Sequence, residues 1–239
     1  MAHAIRAASV AAGHPSPNAG HPQDNNMSSL NFIGGEKGGV GKSVAARVLA
    51  QYFLDKGLPF TGFDTDRSHT SFTRFYADYA APVVVDSYEG LDLVVGAFEE
   101  TLPDGQQSSV IVDLAAQTAA PLSRWVKDSD LIAVLSEMGV TVNFWHIADA
   151  GKDSVDLLDR LVATYGVGPN YIVVRNHGRG TDFSQLDASN ALKKAQALGG
   201  MGRARAVAGA YASDANDRAL PVLSACAGSS SLRGNGWTC

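Results

Sequence analysis

The stretch Phe32–Ser43, FIGGEKGGVGKS, decides how the rest of the chain is read. It holds five glycines and two lysines, Lys37 and Lys42. Before it lies a short apolar run, LNFIG (30–34). After it, Val44, Val48, Leu49, Tyr52 and Phe53 recur at helical spacing between Ser43 and Lys56, with Gly57 as a stop signal. Strand, glycine loop and helix in that order form a phosphate cradle: Gly38, Gly39 and Gly41 let backbone N–H groups turn inward, and the helix N-terminus adds partial positive charge. The ordinary pattern G-x-x-x-x-G-K-[ST] ends on Gly41, Lys42 and Ser43, but its first glycine falls on Glu36. The loop is therefore a variant. Lys42 is expected to reach the β- and γ-phosphates and Ser43 to ligate Mg²⁺. Lys37 is a second cation that the ordinary pattern does not explain. The plain alternative is a flexible glycine turn carrying two surface lysines.

Outward from the loop, the sequence alternates strand and helix. PFTGFDTD (59–66), APVVVDS (81–87), SSVIVDL (108–114), SDLIAVLSE (129–137) and NYIVVRN (170–176) read as strands. Their apolar runs are mostly continuous, as in strands buried on both faces of a parallel sheet. Val155, Leu158, Leu161, Val162 and Tyr165 share a helical face, and Leu186 to Leu198 forms another. This predicts an α/β, doubly wound, mostly parallel sheet with helices on both faces. The expected division is a disordered leader (1–28), one nucleotide-binding domain (29–198) and an atypical, partly disordered tail (199–239). Within that tail only RARAVAGA and ALPVLSAC are strand candidates. Met27, just before the first strand, is a candidate native start.

The chain has 239 residues, 45% hydrophobic and 18% charged, enough for a substantial core, and a net charge of -5 that excludes a strongly cationic nucleic-acid binder while leaving room for a local basic patch. Cys226 and Cys239 fit no metal spacing, so a reducing, cytoplasmic compartment is the default. No apolar run approaches the roughly 20 residues needed to span a bilayer.

Three further segments bear on the chemistry. VIVDLAAQT (110–118) ends an apolar strand in one carboxylate, Asp113, suited to hold a Mg²⁺-bound water facing Ser43. GFDTDRSHT (62–70) puts Asp64 and Asp66 at another strand end, on the sheet edge where ligands sit in doubly wound folds. For all three acids the plain alternative is a strand-end cap. VVRNHGRG (173–180) supplies Asn176, followed by His177 and Arg179 where a guanine-reading N-K-x-D needs lysine and aspartate, so ATP is expected over GTP. Asn176 is equally readable as a turn former. Gln117 reads as a surface residue able to help orient water.

KGGVGKS resembles the deviant Walker A motif of the ParA/MinD family of P-loop ATPases, and the resemblance covers roughly residues 29–198. It implies that Gly38, Gly39, Val40, Gly41, Lys42, Ser43 and Val44 wrap the phosphates and that Asn176 contacts adenine. It implies that Asp66 positions the attacking water, and that Ser43, Asp64 and Asp113 serve the metal. It further implies that Lys37 is a signature lysine that crosses an ATP-bound homodimer to the partner's nucleotide, acting there as an arginine finger does. LAAQ after Asp113 departs from the proline and glycine frequent in relatives.

The expected activity is a weak, partner-stimulated ATP hydrolase working as a dimerisation switch. A ParA-like role in positioning or partitioning DNA, in mobilisation, or in placing a protein cargo implies nonspecific DNA binding, nucleoid association and a ParB-like or other activating protein. Candidate DNA contacts are Arg175, Arg179, Lys193, Lys194, Arg203 and Arg205, which read equally as a solvated face. Alternatives are a MinD-like membrane-cycling regulator, for which SSSLRGNGWTC offers no amphipathic basic helix or membrane anchor, and a metabolic ligase of the dethiobiotin or cobyrinate synthase type. A module that binds ATP without turnover is a fourth reading.

Overall fold

A computed structural model describes residues 28–85, 87–98 and 108–198, and the backbone of 206–209. Seven strands form one sheet: β1 (Ser29–Gly34), β2 (Phe60–Asp64), β3 (Ala80–Pro82), β4 (Ser109–Asp113), β5 (Thr141–Ala148), β6 (Asn170–Asn176) and β7 (Ala206–Gly209). Their spatial order is β3-β2-β4-β1-β5-β6-β7, and every pairing is parallel. Parallel neighbours need helical crossovers, and the helices bury the sheet on both sides.

The alternation of side chains along each strand builds two cores. On one side Leu30, Phe32, Val110, Val112, Phe144 and Val173 meet α3 (Tyr88–Gly96), α4 (Ala119–Asp128), α5 (Leu131–Glu137), α6 (Lys152–Tyr165), α7 (Ser184–Ala188) and α8 (Asn190–Leu198). On the other, Ile33, Ile111, Ile147 and Val174 meet α1 (Lys42–Asp55) and α2 (Ser71–Phe75). This two-sided burial is why the strands read as continuous apolar runs.

A polar row crosses the second face near the start of the strands. Asn170 donates to Asn143 Oδ1 at 3.0 Å, and Asn143 donates to Asn31 Oδ1 at 3.0 Å. Trp145 Nε1 also donates to Asn31 Oδ1 at 3.1 Å, while Asn31 Nδ2 donates to Ser29 Oγ and the Val110 carbonyl. Asn31, Asn143 and Asn170 stand directly opposite one another in register.

Two strand expectations change. Residues 129–137 are not a strand: Leu131 and Leu135 are buried one turn apart while Val134 is exposed, which makes this apolar run the amphipathic helix α5. The strand expected there is β5 instead, which begins twelve residues later, at Thr141. Among the described residues of 81–87, only Ala81 and Pro82 are in a strand, since β3 spans Ala80–Pro82. β7 lies within RARAVAGA and extends the sheet past residue 198. The leader up to residue 27, the run ALPVLSAC and the rest of the tail lie outside the described residues.

Candidate nucleotide site

β1 and β4 are neighbours whose onward connections leave in opposite directions, β1 toward β2 and β4 toward β5. Such a divergence opens a crevice at the carboxyl ends of the strands, the usual ligand position in this class of sheet. The glycine loop sits there. Gly39 and Gly41 have φ of 72° and 101°, in the left-handed region, and Gly41 is the N-cap of α1. A Cβ at Gly38 or Gly39 would meet nothing within 4 Å, so the loop is open on that side. Lys42 is buried at the first position of α1, and its Nζ donates to the Lys37 carbonyl at 2.7 Å. Burial lowers its pKa, with the Asp113 and Asp66 carboxylates opposing the effect.

Asp113 ends β4 at the floor of this crevice and is 2% exposed. Burial pushes its carboxyl up to about 6; the Ser43 hydroxyl pulls it down, the Asp64 carboxylate pushes it further up, and Lys42 pulls down. Its Oδ2 is buried without a hydrogen-bond partner. An orphaned buried carboxylate oxygen beside a serine hydroxyl is an oxygen donor set that fits a divalent cation.

The other acids are more heavily engaged. Asp64 Oδ1 accepts from the Asp66 amide at 3.0 Å, and Oδ2 accepts from the Phe72 and Thr73 amides at 2.9 and 3.1 Å, which caps α2. Asp66 Oδ1 accepts from the Ser68 and His69 amides, and the His69 ring lies 3.3 Å from Oδ2. Partial burial raises the Asp66 pKa, but these hydrogen bonds outweigh it and hold the carboxyl low. Thr65, between the two acids, joins the ends of β2 and β4. Its amide and hydroxyl both donate to the Asp113 carbonyl at 3.0 Å, and its Oγ1 accepts from the Ala115 amide at 2.7 Å.

Asn176, at the end of β6, closes the crevice from the other side. Its Nδ2 donates to the Val40 carbonyl at 2.7 Å, and its Oδ1 accepts from Gly178 N at 3.0 Å. It thus makes the turn expected of it and also props the loop. A Cβ on Gly41 would come within 2.7 Å of the same amide nitrogen.

Lys37 faces away from the loop interior. Its Nζ lies 2.8 Å from Asp149 Oδ2 and 3.4 Å from Asp153 Oδ2, at the start of α6. The hydrogen bond to Asp149 raises its pKa. Burial raises that of Asp149, but hydrogen bonds from Lys37, Ser154 and the Gly151 amide outweigh it and hold the carboxyl low. Asp149, Asp153, Ser154, His146 and Thr65 were not legible as parts of this site, since their partners are distant in sequence or lie in the backbone.

A cavity of about 470 Å³ starts at Gly34, Gly35 and Glu36 of the glycine loop and runs over the sheet face opposite α1, lined also by Leu114, Gln117, Leu122, Phe144, Leu161 and Tyr165. It contains neither Lys42 nor Asp113. Gln117, at φ 76°, is exposed on its rim. Of the basic residues considered for DNA, Arg175 pairs with Asp187 and Lys194 with Asp159, while Arg179 and Lys193 are exposed. Arg203 and Arg205 lie outside the described residues. Among the described residues no helix is long and apolar enough to cross a membrane.

Two lysines in one glycine loop, set at the divergence point of an all-parallel sheet, decide the fold. The chain has a P-loop fold. No protein-family model matches it. Protein TraL of Escherichia coli is 27% identical over 182 residues, covering 70% of this chain and 73% of the relative. A plasmid partition protein from Borrelia burgdorferi superposes with a TM-score of 0.46 at 14% identity, covering 80% of this chain and 92% of that one. A further structure of a plasmid partition protein from that organism, bound to AMPPNP, gives a TM-score of 0.45 at 16% identity over 76% of this chain and 86% of that one.

Proposed function

We propose that this chain is a ParA-type ATPase: ATP and Mg²⁺ bind at the glycine loop, two copies close over the nucleotides, and slow, partner-stimulated hydrolysis reopens them. The observation that carries this reading is the division of labour between the loop lysines. Lys42 is buried under its own loop and bonds the Lys37 carbonyl, whereas the Lys37 side chain turns to the Asp149 and Asp153 carboxylates at the start of α6, from where it would serve a second copy once that pairing is exchanged. Ser43 and Asp113 would hold the cation, which when bound shields charge on the phosphates. Lys42 and the amides of Gly38 to Ser43 bind and orient the phosphates, and Asp66 orients the attacking water once it is released from His69. The cargo would be a plasmid, a mobilisation apparatus or a protein assembly, engaged from the cytoplasm, with Arg179 and Lys193 as DNA contacts.

ATP hydrolysis and molecular size, each measured with and without ATP and plasmid DNA, test the proposal. The expected result is a dimer with ATP, slow turnover, and DNA retained only with ATP. A monomer throughout, with DNA binding indifferent to nucleotide, overturns it. Lys42→Ala should abolish measurable nucleotide binding. Lys37→Ala should keep binding but lose turnover and the dimer; normal hydrolysis by that variant sinks the two-chain site.

A further inference from the structure

We propose that Asp149 and Asp153 form a latch that holds Lys37 within its own chain, and that closure of an ATP-bound dimer requires this ion pair to break. The proposal rests on the cross-subunit role of Lys37 given above. Asp149 is a prepared acceptor rather than a chance surface acid. Its Oδ1 takes hydrogen bonds from Ser154 Oγ at 2.7 Å and Gly151 N at 3.0 Å, which aims Oδ2 at Lys37. Ser154 is itself fixed from the core: it is 1% exposed, and its carbonyl accepts from Nε2 of the buried His146 at 2.8 Å. The carboxylate therefore needs no ordering when Lys37 arrives, and the pair is only 29% and 16% exposed, which limits screening by solvent. Gly151 leaves the space required: a Cβ there would lie 3.2 Å from both Asp149 Oδ1 and Lys37 Nζ. Asp153, 75% exposed, adds a second, weaker partner.

The latch is wired to the phosphate site through one residue. The Lys37 side chain is drawn toward α6, and its carbonyl is the acceptor for Lys42 Nζ. A phosphate entering the loop competes with that carbonyl for Lys42. The backbone at Lys37 then loses its inward anchor, and its side chain is freed to exchange partners. Nucleotide binding and release of Lys37 are thereby linked through a single peptide unit, and the latch raises the ATP concentration needed to close a dimer.

The test uses the full chain as wild type, Asp149→Asn and Asp153→Asn. Trace acetylation without nucleotide, read by fragment mass spectrometry, reports access to Lys37, with Lys56 as reference. Lys37 labelling should rise at least about five-fold in Asp149→Asn and about two-fold in Asp153→Asn, whose exposed side chain leaves the fold undisturbed. The ATP midpoint for dimer formation should fall about five- to ten-fold in Asp149→Asn. Equal labelling in all three proteins overturns the latch. Raised labelling with an unchanged midpoint overturns its control of dimerisation. A wild type that stays monomeric while Asp149→Asn dimerises supports the latch in its strongest form. If neither dimerises, the ATPase-switch reading fails with the regulatory claim, and the labelling still reports separately whether the ion pair exists.

Discussion

Asn176 and Val40 are 136 residues apart in sequence and joined by one hydrogen bond, from the Asn176 amide to the Val40 carbonyl at 2.7 Å. The end of β6 thus holds the crown of the phosphate loop. Asn176→Ala leaves a buried carbonyl unpaired, a loss of about 1 kcal/mol or roughly five- to ten-fold in affinity. Because the effect passes through the loop, ATP and GTP should weaken alike in a fluorescent-nucleotide titration. Loss confined to ATP would instead assign Asn176 to the base.

Thr65 ties β2 to β4 beside Asp113. Thr65→Val keeps the shape but strands the Ala115 amide, so it should cost about 1–3 kcal/mol in urea denaturation, while Thr65→Ser costs much less. A Thr65→Val protein as stable as wild type would remove the clip.

His146 gives a pH dependence. Burial lowers its pKa to about 4 from an ordinary 6.5, so the folded chain holds it neutral. The unfolded chain binds the extra proton between those values. The contribution is therefore complete above about pH 6.5 and is lost as pH falls through about 4, up to on the order of 3 kcal/mol. His146→Gln should flatten the fall in chemical stability between pH 6.5 and 4, and parallel curves for the two proteins would remove His146 as the cause.

If DNA is bound through the exposed cations, Arg179→Ala and Lys193→Ala should each lower the salt slope of binding by about 1. Lys194→Ala should change it little, because Asp159 already pairs with that lysine. Equal effects from all three would place the DNA elsewhere.

The parts of the site that a reader of the sequence can find are those whose partners are close in the chain. Gly38 to Ser43 form one local loop, and Asp113 ends an apolar run that only a buried strand explains. β5 escapes such reading because Asn143 and His146 interrupt its apolar pattern; their partners, Asn31, Asn170 and the Ser154 carbonyl, are supplied by the fold. Conversely, the apolar run of α5 looks like a strand until its burial is seen to repeat every four residues. Asp149 is invisible for a similar reason, since no spacing rule connects it to a lysine 112 positions earlier.

The amide row across Asn31, Asn143 and Asn170 acts as an alignment key. A one-residue slip of β1, β5 or β6 would turn an amide into the apolar core on the other face and leave its partners unpaired. Those three strands deliver the glycine loop, Asp149 and Asn176. Mutual placement of the two lysines, their acids and the loop prop is therefore set at the far edge of the sheet. Errors there would misassemble the switch without touching one residue of it.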